Sequence, residues 1–270
     1  MIRRLFLAPT AGFLLVLFAA PLAIIVTYSF LMRGPYGGVL PQGTFENYQR
    51  LFDPLYGAIA LRTILIACIV TAMCVLLAFP LALFLTRAGK RKNLYLQLVM
   101  LPFWTSFLVR TYAWMFLLRD TGLVNTMLIG FGLIREPLPL LYNEGAVILG
   151  LVYGHLPFAV LPIYVNLERL DRALLEAAAD LGARPWNVVT RVMLPLCGPG
   201  LRAAFLLVFI ASLGAYLTPD LLGGGKSIML GSLIQNQFTT ARDWPFGSAL
   251  SVVVMLAIVL WLRKRKEELL

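Results

Sequence analysis

Residues 222–227, LGGGKS, place three glycines before a lysine and a serine, a composition typical of loops that hold phosphate. The phosphate-binding pattern G-x4-G-K-[ST] requires a glycine at position 220, but that residue is Asp220. The pattern fails at this position, so the chain is not expected to hydrolyse ATP itself. The distribution of charge along the chain, described below, also places this stretch outside the cytoplasm.

The other side chains capable of catalysis or metal binding are few and scattered. His155 is the only histidine, in an apolar segment, where we expect a packed, neutral, hydrogen-bonded ring rather than a proton relay. Cys68 and Cys74 point in different helical directions and Cys197 is far from both, so all three are expected to be small apolar side chains. No metal site is predicted, and a membrane enzyme is the least favoured class because no catalytic constellation is visible.

A small set of aromatic and acidic residues can recognise an organic cation. Trp104 and Tyr112 lie in one apolar segment, and Tyr216 lies one helical turn before Asp220 in another. Aromatic faces attract cations, and a carboxylate close to a bilayer is costly enough that it usually has a purpose. These four residues are therefore candidates for a substrate pathway. The alternative is that the aromatic residues form an interfacial belt and that Asp220 lies in a loop turn.

Arg110 argues against a cationic solute at its own position. It is a cation inside an otherwise uncharged segment. We expect it to pair with an acid, with Asp120 and Asp220 as possible partners, or to extend its charged group toward the interface.

The composition indicates that these residues are carried by membrane-spanning helices. The chain is 60% hydrophobic and 13% charged with a mean hydropathy of +0.84, whereas a soluble domain is about half apolar and about a quarter charged. The uncharged run after Arg3 and Arg4 is longer than the roughly 7–15 residues of a signal-peptide core, so it predicts an uncleaved first span. The net charge of +10 is interpreted as a guide to membrane orientation, and no nucleic-acid partner is predicted.

Six segments are apolar over the length of about 20 residues that a helix needs to cross a bilayer. They are residues 5–31, 60–86, 94–118, 145–167, 199–219 and 244–262. Lysine and arginine concentrate at 3–4, 87–92, 169–202 and 263–266, which predicts that these stretches and both termini are cytoplasmic. The fold class predicted is an all-α integral membrane protein with six transmembrane helices, forming a single domain over residues 1–270.

The cytoplasmic segment 168–198 is unusually polar for this chain. Helically spaced small and apolar residues predict a helix, at positions Leu170, Ala173, Ala177 and Leu181. Asp171 suits its N-cap, Gly182 suits the residue after its end, and Pro185 suits the first turn of a second helix that ends near Leu194-Pro195. On this pattern alone, the segment is either a docking device or a loop that contacts nothing else.

The same segment resembles the signature EAA-x3-G-x9-I-x-L-P of ABC importer permeases. The matching residues are Glu176, Ala177, Ala178, Gly182, Leu194 and Pro195, with Val192 in place of the usual isoleucine. The resemblance implies a type I ABC importer permease fold in which this loop, between helices 4 and 5, forms coupling helices that dock on a separate ATPase. It also implies that ATP and Mg are bound by that ATPase and that this chain holds no cofactor.

Further stretches are similar to the spermidine/putrescine permeases among these importers: DPLYG (53–57), LPFWTSFLVRTYAW (101–114), VILGLVYGHLPFAVLPIY (147–164), LERLDRALLEAAADLGA (167–183), PDLLGGGK (219–226) and RDWPFG (242–247). The resemblance implies polyamine import across a bacterial inner membrane. It also implies a second homologous permease subunit, two copies of an ATPase subunit and a periplasmic solute-binding protein that the outer loops dock. The alternatives are a permease for another cationic or opine-like solute, a solute-sensing receptor subunit, and a secondary transporter acting alone.

Overall fold

The computed structural model describes residues 2–267. The helices are α1 (Ile2–Ser29), α2 (Glu46–Arg50), α3 (Pro54–Arg87), α4 (Lys92–Met100), α5 (Phe107–Leu118), α6 (Leu123–Gly130), α7 (Glu144–Glu168), α8 (Arg172–Asp180), α9 (Pro185–Val188), α10 (Leu194–Leu196), α11 (Gly198–Leu213), α12 (Leu217–Gly223), α13 (Leu230–Phe238) and α14 (Trp244–Glu267). Strands β1 (Leu31–Arg33) and β2 (Val39–Gly43) form an antiparallel hairpin. Tighter 3₁₀ turns lie at Gly89–Arg91 and Leu101–Trp104, and a π-helical turn lies at Val189–Met193. The described part of the chain is therefore mainly helical.

Four helices are long and apolar enough to cross a bilayer, through the windows Gly12–Ser29, Pro54–Arg87, Glu144–Glu168 and Trp244–Lys264. They coincide with the first, second, fourth and sixth predicted spans. A fifth candidate is the bent pair formed by Pro185–Leu196 and Gly198–Leu213, whose axes meet at 68°. By length and composition, the described helices thus provide four or five spans rather than the six predicted.

The predicted third span, 94–118, is wrong as a single helix. α4 ends at Met100, a 3₁₀ turn follows, and the backbone at Thr105 is extended before α5 begins. Pro102 contributes to the break, because it has no N–H to donate to the carbonyl of Leu98, four residues earlier.

The predicted fifth span, 199–219, also ends early. α11 stops at Leu213, and α12 starts only after Gly214, Ala215 and Tyr216. Pro219 cannot donate a helical hydrogen bond to the carbonyl of Ala215, so a continuous helix through this point would leave that carbonyl without its normal donor.

One compact unit comprises Leu61–Leu230. Its core is formed by buried side chains of α3, α7 and α11, among them Val70, Val160, Ile163 and Val208. Gly200 allows α11 to approach α7 closely, since a Cβ at that position would lie 2.7 Å from the Cβ of Asn166. This packing fixes the end of α7 against the start of α11, on either side of the polar segment 168–198.

The other compact unit is formed by the chain up to Ala60 and the chain from Gly231. Here α1 packs along α14, and Arg50 of α2 pairs with Asp243 at 2.8 Å. Asp243 is only 1% exposed, and it also accepts the backbone N–H of Phe246 in the first turn of α14. Burial alone would lower the pKa of Arg50, but the hydrogen bond and charge of Asp243 outweigh it and raise that pKa. The stretch RDWPFG therefore fastens α2 to the start of α14.

Candidate functional site

The segment 168–198 folds as the predicted helix, turn and second helix. Asp171 caps α8 by accepting the backbone N–H of Ala173 at 2.9 Å. Pro185 occupies the first turn of α9, as expected for a residue without an N–H. The local sequence therefore determines both helix starts.

The turn between these helices depends on Gly182. Its φ of +79° lies in the left-handed region, which favours glycine. The N–H of Gly182 donates to the carbonyl of Ala179 at 2.9 Å, and the N–H of Ala183 donates to that of Ala178 at 3.1 Å. These two bonds form a complete Schellman motif, in which the last carbonyls of α8 are satisfied and the chain reverses sharply.

The second helix is continuous with the start of α11. It runs from Pro185 to Leu196, slightly beyond the predicted end at Leu194-Pro195, and a single buried residue, Cys197, separates it from Gly198. The two helices meet at Cys197 with an angle of 68° between their axes.

The surface of the segment carries large apolar side chains as well as charge. Leu181 is 89% exposed and Trp186 is 74% exposed, on the two sides of the Gly182 turn. Sequence reasoning placed Leu181 in a helical stripe and did not single out Trp186. The stripe is not the packed face, because Ala173 and Ala177 are also exposed. The signal that identifies the pair is their position beside a turn glycine in an otherwise charged loop.

An ion pair lies beside this segment. Lys92, at the start of α4, donates to Glu168, at the end of α7, at 2.6 Å. The hydrogen bond and the charge of Glu168 raise the pKa of Lys92. Two loops that are separate in sequence, 87–92 and 168–198, therefore meet at one end of the Leu61–Leu230 unit.

A second ion pair marks the opposite end of α7. Arg62 of α3 contacts Glu144, the first residue of α7, at 2.5 Å, and lies 3.4 Å from the hydroxyl of Ser227. The starts of α3 and α7 are thus at one end, and the end of α7 and the start of α4 are at the other. Sequence reasoning did not predict either pair, although all four charged residues lie at or next to the edges of predicted spans.

The candidate pathway residues Tyr216 and Asp220 lie one turn apart. The backbone N–H of Asp220 donates to the carbonyl of Tyr216 at 3.0 Å, and both side chains are exposed. Asp220 belongs to helix α12 rather than to a loop turn, and none of the ion pairs formed by the side chains that the structure describes includes it. The result is a free carboxylate next to an aromatic ring, which suits an ammonium group.

Close packing holds α12 in place. A Cβ added at Gly150 of α7 would meet Leu222 at 2.5 Å and Thr218 at 2.8 Å. α12 also packs against α5, which carries Tyr112 as a partly exposed side chain. Trp104 is exposed in the 3₁₀ turn before α5. Within the described residues, no hydrogen bond or ring contact joins Trp104 or Tyr112 to the α12 pair, so the structure assembles half of the predicted set.

The expected acid partner of Arg110 is wrong for this chain. The Arg110 guanidinium lies 4.4 Å above the ring of Phe103, and its Nε and Nη1 atoms are buried without a hydrogen-bond partner in the described residues. It lines a small cavity with Thr111, Trp114 and Tyr153. Asp120 lies beyond the end of α5 and Asp220 is exposed on α12, so aromatic faces rather than a carboxylate stabilise this charge.

The remaining reactive residues are His155 and the three cysteines. His155 is buried, and its Nδ1 lies 2.9 Å from the carbonyl of Leu151. Cys74 and Cys197 are buried and Cys68 is exposed, and none of the three forms a disulfide.

The glycines of the 222–227 stretch build a turn. Gly224 has a φ of +56°, and a Cβ on it would collide with the ring of Tyr142. The lack of a side chain at Gly224 lets the backbone pack against Tyr142. This role differs from the binding of phosphate by a glycine-rich loop.

Comparison with known proteins identifies the family. Residues 60–263 match the family described as "Binding-protein-dependent transport system inner membrane component". This chain belongs to that family. The match confirms the class predicted from the signature at Glu176–Pro195, a membrane permease rather than an enzyme.

Two curated members of this permease family cover most of the chain. The spermidine/putrescine transport system permease protein PotB of Haemophilus influenzae is 41% identical over 253 residues, which cover 93% of this chain and 88% of that protein. PotB of Escherichia coli K12 is 40% identical over 252 residues, covering 93% of this chain and 92% of that protein.

A solved structure has the same fold. It is a bacterial ABC transporter involved in the import of the acidic polysaccharide alginate, and its matching chain has a TM-score of 0.71 at 19% identity, covering 99% of this chain and 95% of that one. At this identity the likeness concerns fold alone. Together with the family match, it supports the coarser prediction, a mainly helical fold of the ABC permease type.

Proposed function

We propose that this chain is a membrane-spanning permease subunit of an ATP-driven importer that moves polyamines, spermidine or putrescine, into the cytoplasm. The observation that carries the proposal is the 40% identity to PotB of E. coli, which extends over 93% of the chain. The match spans 252 residues, so it extends over the polar segments as well as the apolar spans.

The chemistry of α12 agrees with a polyamine. Such a solute is a chain of ammonium groups separated by methylenes, so it needs a carboxylate to offset charge and an aromatic face for cation–π contact. Asp220 and Tyr216 provide one of each. Trp104 and Tyr112 are proposed to extend the wall of the pathway. Arg110 lies outside the binding surface, since a fixed cation repels the solute.

The segment 168–198 is proposed to couple transport to ATP. Glu176, Gly182 and the rest of the signature form the docking unit for a separate ATPase, which binds ATP and Mg. The exposed Leu181 and Trp186 provide apolar anchors for its groove. Closure of the ATPase pair would then move α9 and α10, and through the bend at Cys197 would move α11. This chain needs no cofactor of its own in this scheme.

The remaining parts of the importer are proposed to be separate chains. One permease encloses half of a pathway, so a second homologous permease completes it. Two copies of the ATPase dock on the cytoplasmic side, and a periplasmic solute-binding protein delivers the polyamine on the other. In this arrangement both termini are cytoplasmic, and the chain is a multi-pass protein of a bacterial inner membrane.

Uptake of labelled spermidine and putrescine tests the proposal. Cells lacking this chain, with its partners intact, should lose saturable uptake of at least one of them and recover it with the wild-type chain. Unchanged uptake of both would exclude polyamines and leave another cationic or opine-like solute. Co-purification separates the coupling role from the substrate: an ATPase that remains bound after detergent extraction supports an ABC permease, and a chain that transports alone contradicts it.

A further inference from the structure

The segment 121–134, TGLVNTMLIGFGLI, lies between α5 and α7 and contains no charged residue. It is bounded on one side by Arg119 and Asp120 and on the other by Arg135 and Glu136. It is shorter than the stretch of about 20 residues needed to cross a bilayer, and an apolar run of this length is typical of interfacial or re-entrant segments. Because it lies between the predicted spans 94–118 and 145–167, the predicted topology makes this region an outer loop.

The structure leaves the apolar side chains of this segment unpacked. Phe131 is 78% exposed and Leu133 is 69% exposed, and Leu123, Met127 and Ile129 of α6 and its end are exposed as well. Leu123, Met127 and Phe131 are spaced four residues apart, so they lie along one side of α6 and the turn after it. Water contact with a surface of this kind is unfavourable, at about 25 cal/mol per Å².

The side chains of Asn125 and Thr126 bond to backbone groups of the same loop. Asn125 is fully buried, where its amide nitrogen donates to the carbonyl of Leu138 at 3.0 Å and its Oδ1 accepts the N–H of Leu138 at 2.9 Å. The hydroxyl of Thr126 donates to the carbonyl of Gly122 at 2.9 Å. Asn125 thereby closes the loop without help from water.

The exposed tip is satisfied in the same way. The N–H of Gly132 donates to Ile129 at 2.9 Å and that of Leu133 to Leu128 at 3.0 Å, with Gly132 at a φ of +69°. This is the same Schellman motif that ends α8. The two turns differ in their surroundings, because the α8 turn has Asp180 and Arg184 beside it and the α6 turn has only apolar neighbours. Internally satisfied backbone with an apolar surface is what hydrocarbon requires.

We propose that the segment 121–134 lies in the outer leaflet of the bilayer, with Phe131 and Leu133 in contact with acyl chains and the flanking charged pairs at the headgroup level. Residues 135–143 connect the segment to α7, which is long and apolar enough to cross the membrane. At 1.5 Å per residue, α6 is about 12 Å long, so it enters one leaflet and returns. The proposal rests on membrane insertion of the chain and is independent of the solute.

Nitroxide labels measure this directly. Phe131→Cys and Leu133→Cys are made separately in a Cys68→Ala background, because Cys68 is exposed whereas Cys74 and Cys197 are buried. The full chain is reconstituted in phosphatidylglycerol/phosphatidylethanolamine vesicles, and collisions with oxygen, which enters lipid, are compared with collisions with a water-soluble nickel chelate. Tyr36→Cys at the hairpin tip, 94% exposed, is the water-facing control, and Leu76→Cys on α3 is the lipid-facing control.

The proposal predicts that both labels collide more with oxygen than with nickel, like the label at 76 and unlike the label at 36. A nickel preference at 131 and 133 would overturn it by placing the segment in water. Protection from both reagents would also overturn it, by showing that protein covers the surface. Polyamine uptake plays no part in the readout, so failure here and failure of the proposed substrate are distinguishable.

Discussion

At the residue scale, the buried carboxylate of Asp243 holds the start of α14. It receives the Arg50 guanidinium and the N–H of Phe246, so its loss leaves two donors without a partner. We expect Asp243→Ala to lower the free energy of unfolding by about 2–3 kcal/mol, since a buried charged pair and a helix cap are removed together. Thermal unfolding of the detergent-solubilised chain measures the change.

The matched control for this prediction is Glu46→Gln. Glu46 is an exposed acid on the same short helix as Arg50, and a change at such a surface site usually has little effect on stability. Equal melting temperatures for Asp243→Ala and Glu46→Gln would show that the Arg50–Asp243 pair does not stabilise the fold.

Asp220 allows a second test at this scale. Asp220→Asn keeps the size of the side chain but removes its charge. Losing one charged contact to an ammonium group costs about 1.5 kcal/mol or more, so polyamine uptake should fall roughly tenfold or further. Asp220→Glu, which restores the charge, should recover part of the uptake. Both variants must reach wild-type abundance in the membrane, and normal uptake by Asp220→Asn would remove this residue from the pathway.

Single residues differ in how far the sequence determines their roles. The different environments of Cys68 and Cys74 follow from their helical spacing within one apolar segment. The burial of His155 follows from its position in the middle of another. Both are local information. The environment of Arg110 does not follow in this way. Its stacking on Phe103 depends on the break between α4 and α5, which folds the preceding 3₁₀ turn back toward α5. A break of that kind changes which residues meet, and hydropathy does not locate it.

At the scale of elements, the turn at Gly182 is the part of the coupling segment that is easiest to perturb selectively. A Cβ at Gly182 meets nothing within 4 Å, so a substitution there is penalised only by its left-handed backbone. That penalty is about 1–2 kcal/mol for most residues and smaller for asparagine. We expect Gly182→Val to insert normally but to lose transport and ATPase co-purification, and Gly182→Asn to keep most of both.

The comparison of these two variants separates backbone geometry from side-chain bulk. If Gly182→Asn and Gly182→Val fail equally, the glycine is needed for close contact with the partner rather than for the turn. If both transport normally, the docking role of this segment is wrong. A third variant, Gly182→Asp, is expected to fail as well, because its charge is placed beside the apolar anchors Leu181 and Trp186.

Elements also show where sequence reasoning stops. Asp171, Gly182 and Pro185 have local capping roles, and the structure reproduces the predicted helix, turn and helix around them. The interruptions at Pro102 and at Gly214–Tyr216 were missed because both lie in apolar runs with the hydropathy of continuous spans. The second break matters for the candidate pathway. It separates α12 from α11, and the side chains of Tyr216 and Asp220 are exposed there.

At the scale of the whole molecule, two ion pairs constrain the path of the chain through the membrane. Arg62–Glu144 joins the starts of α3 and α7, and Lys92–Glu168 joins the start of α4 to the end of α7. α7 has 25 residues, so at 1.5 Å per residue these two pairs are separated by about the thickness of a bilayer. The chain between Lys92 and Glu144 must therefore return from one end to the other, and α4, the 3₁₀ turn and α5 are the elements available for that crossing.

This path predicts six crossings even though the third is not one helix. A reporter that is active only outside the cytoplasm should be inactive when fused after Gly89 or Asp180 and active when fused after Glu136. An inactive reporter at 136 would mean that α4 and α5 form a hairpin on one side. The segment 168–198 would then move to the side opposite the loop at 89, where Lys92–Glu168 could not form. Because ATP is cytoplasmic, the same result would remove the coupling role of Gly182, so this measurement tests the topology and the mechanism together.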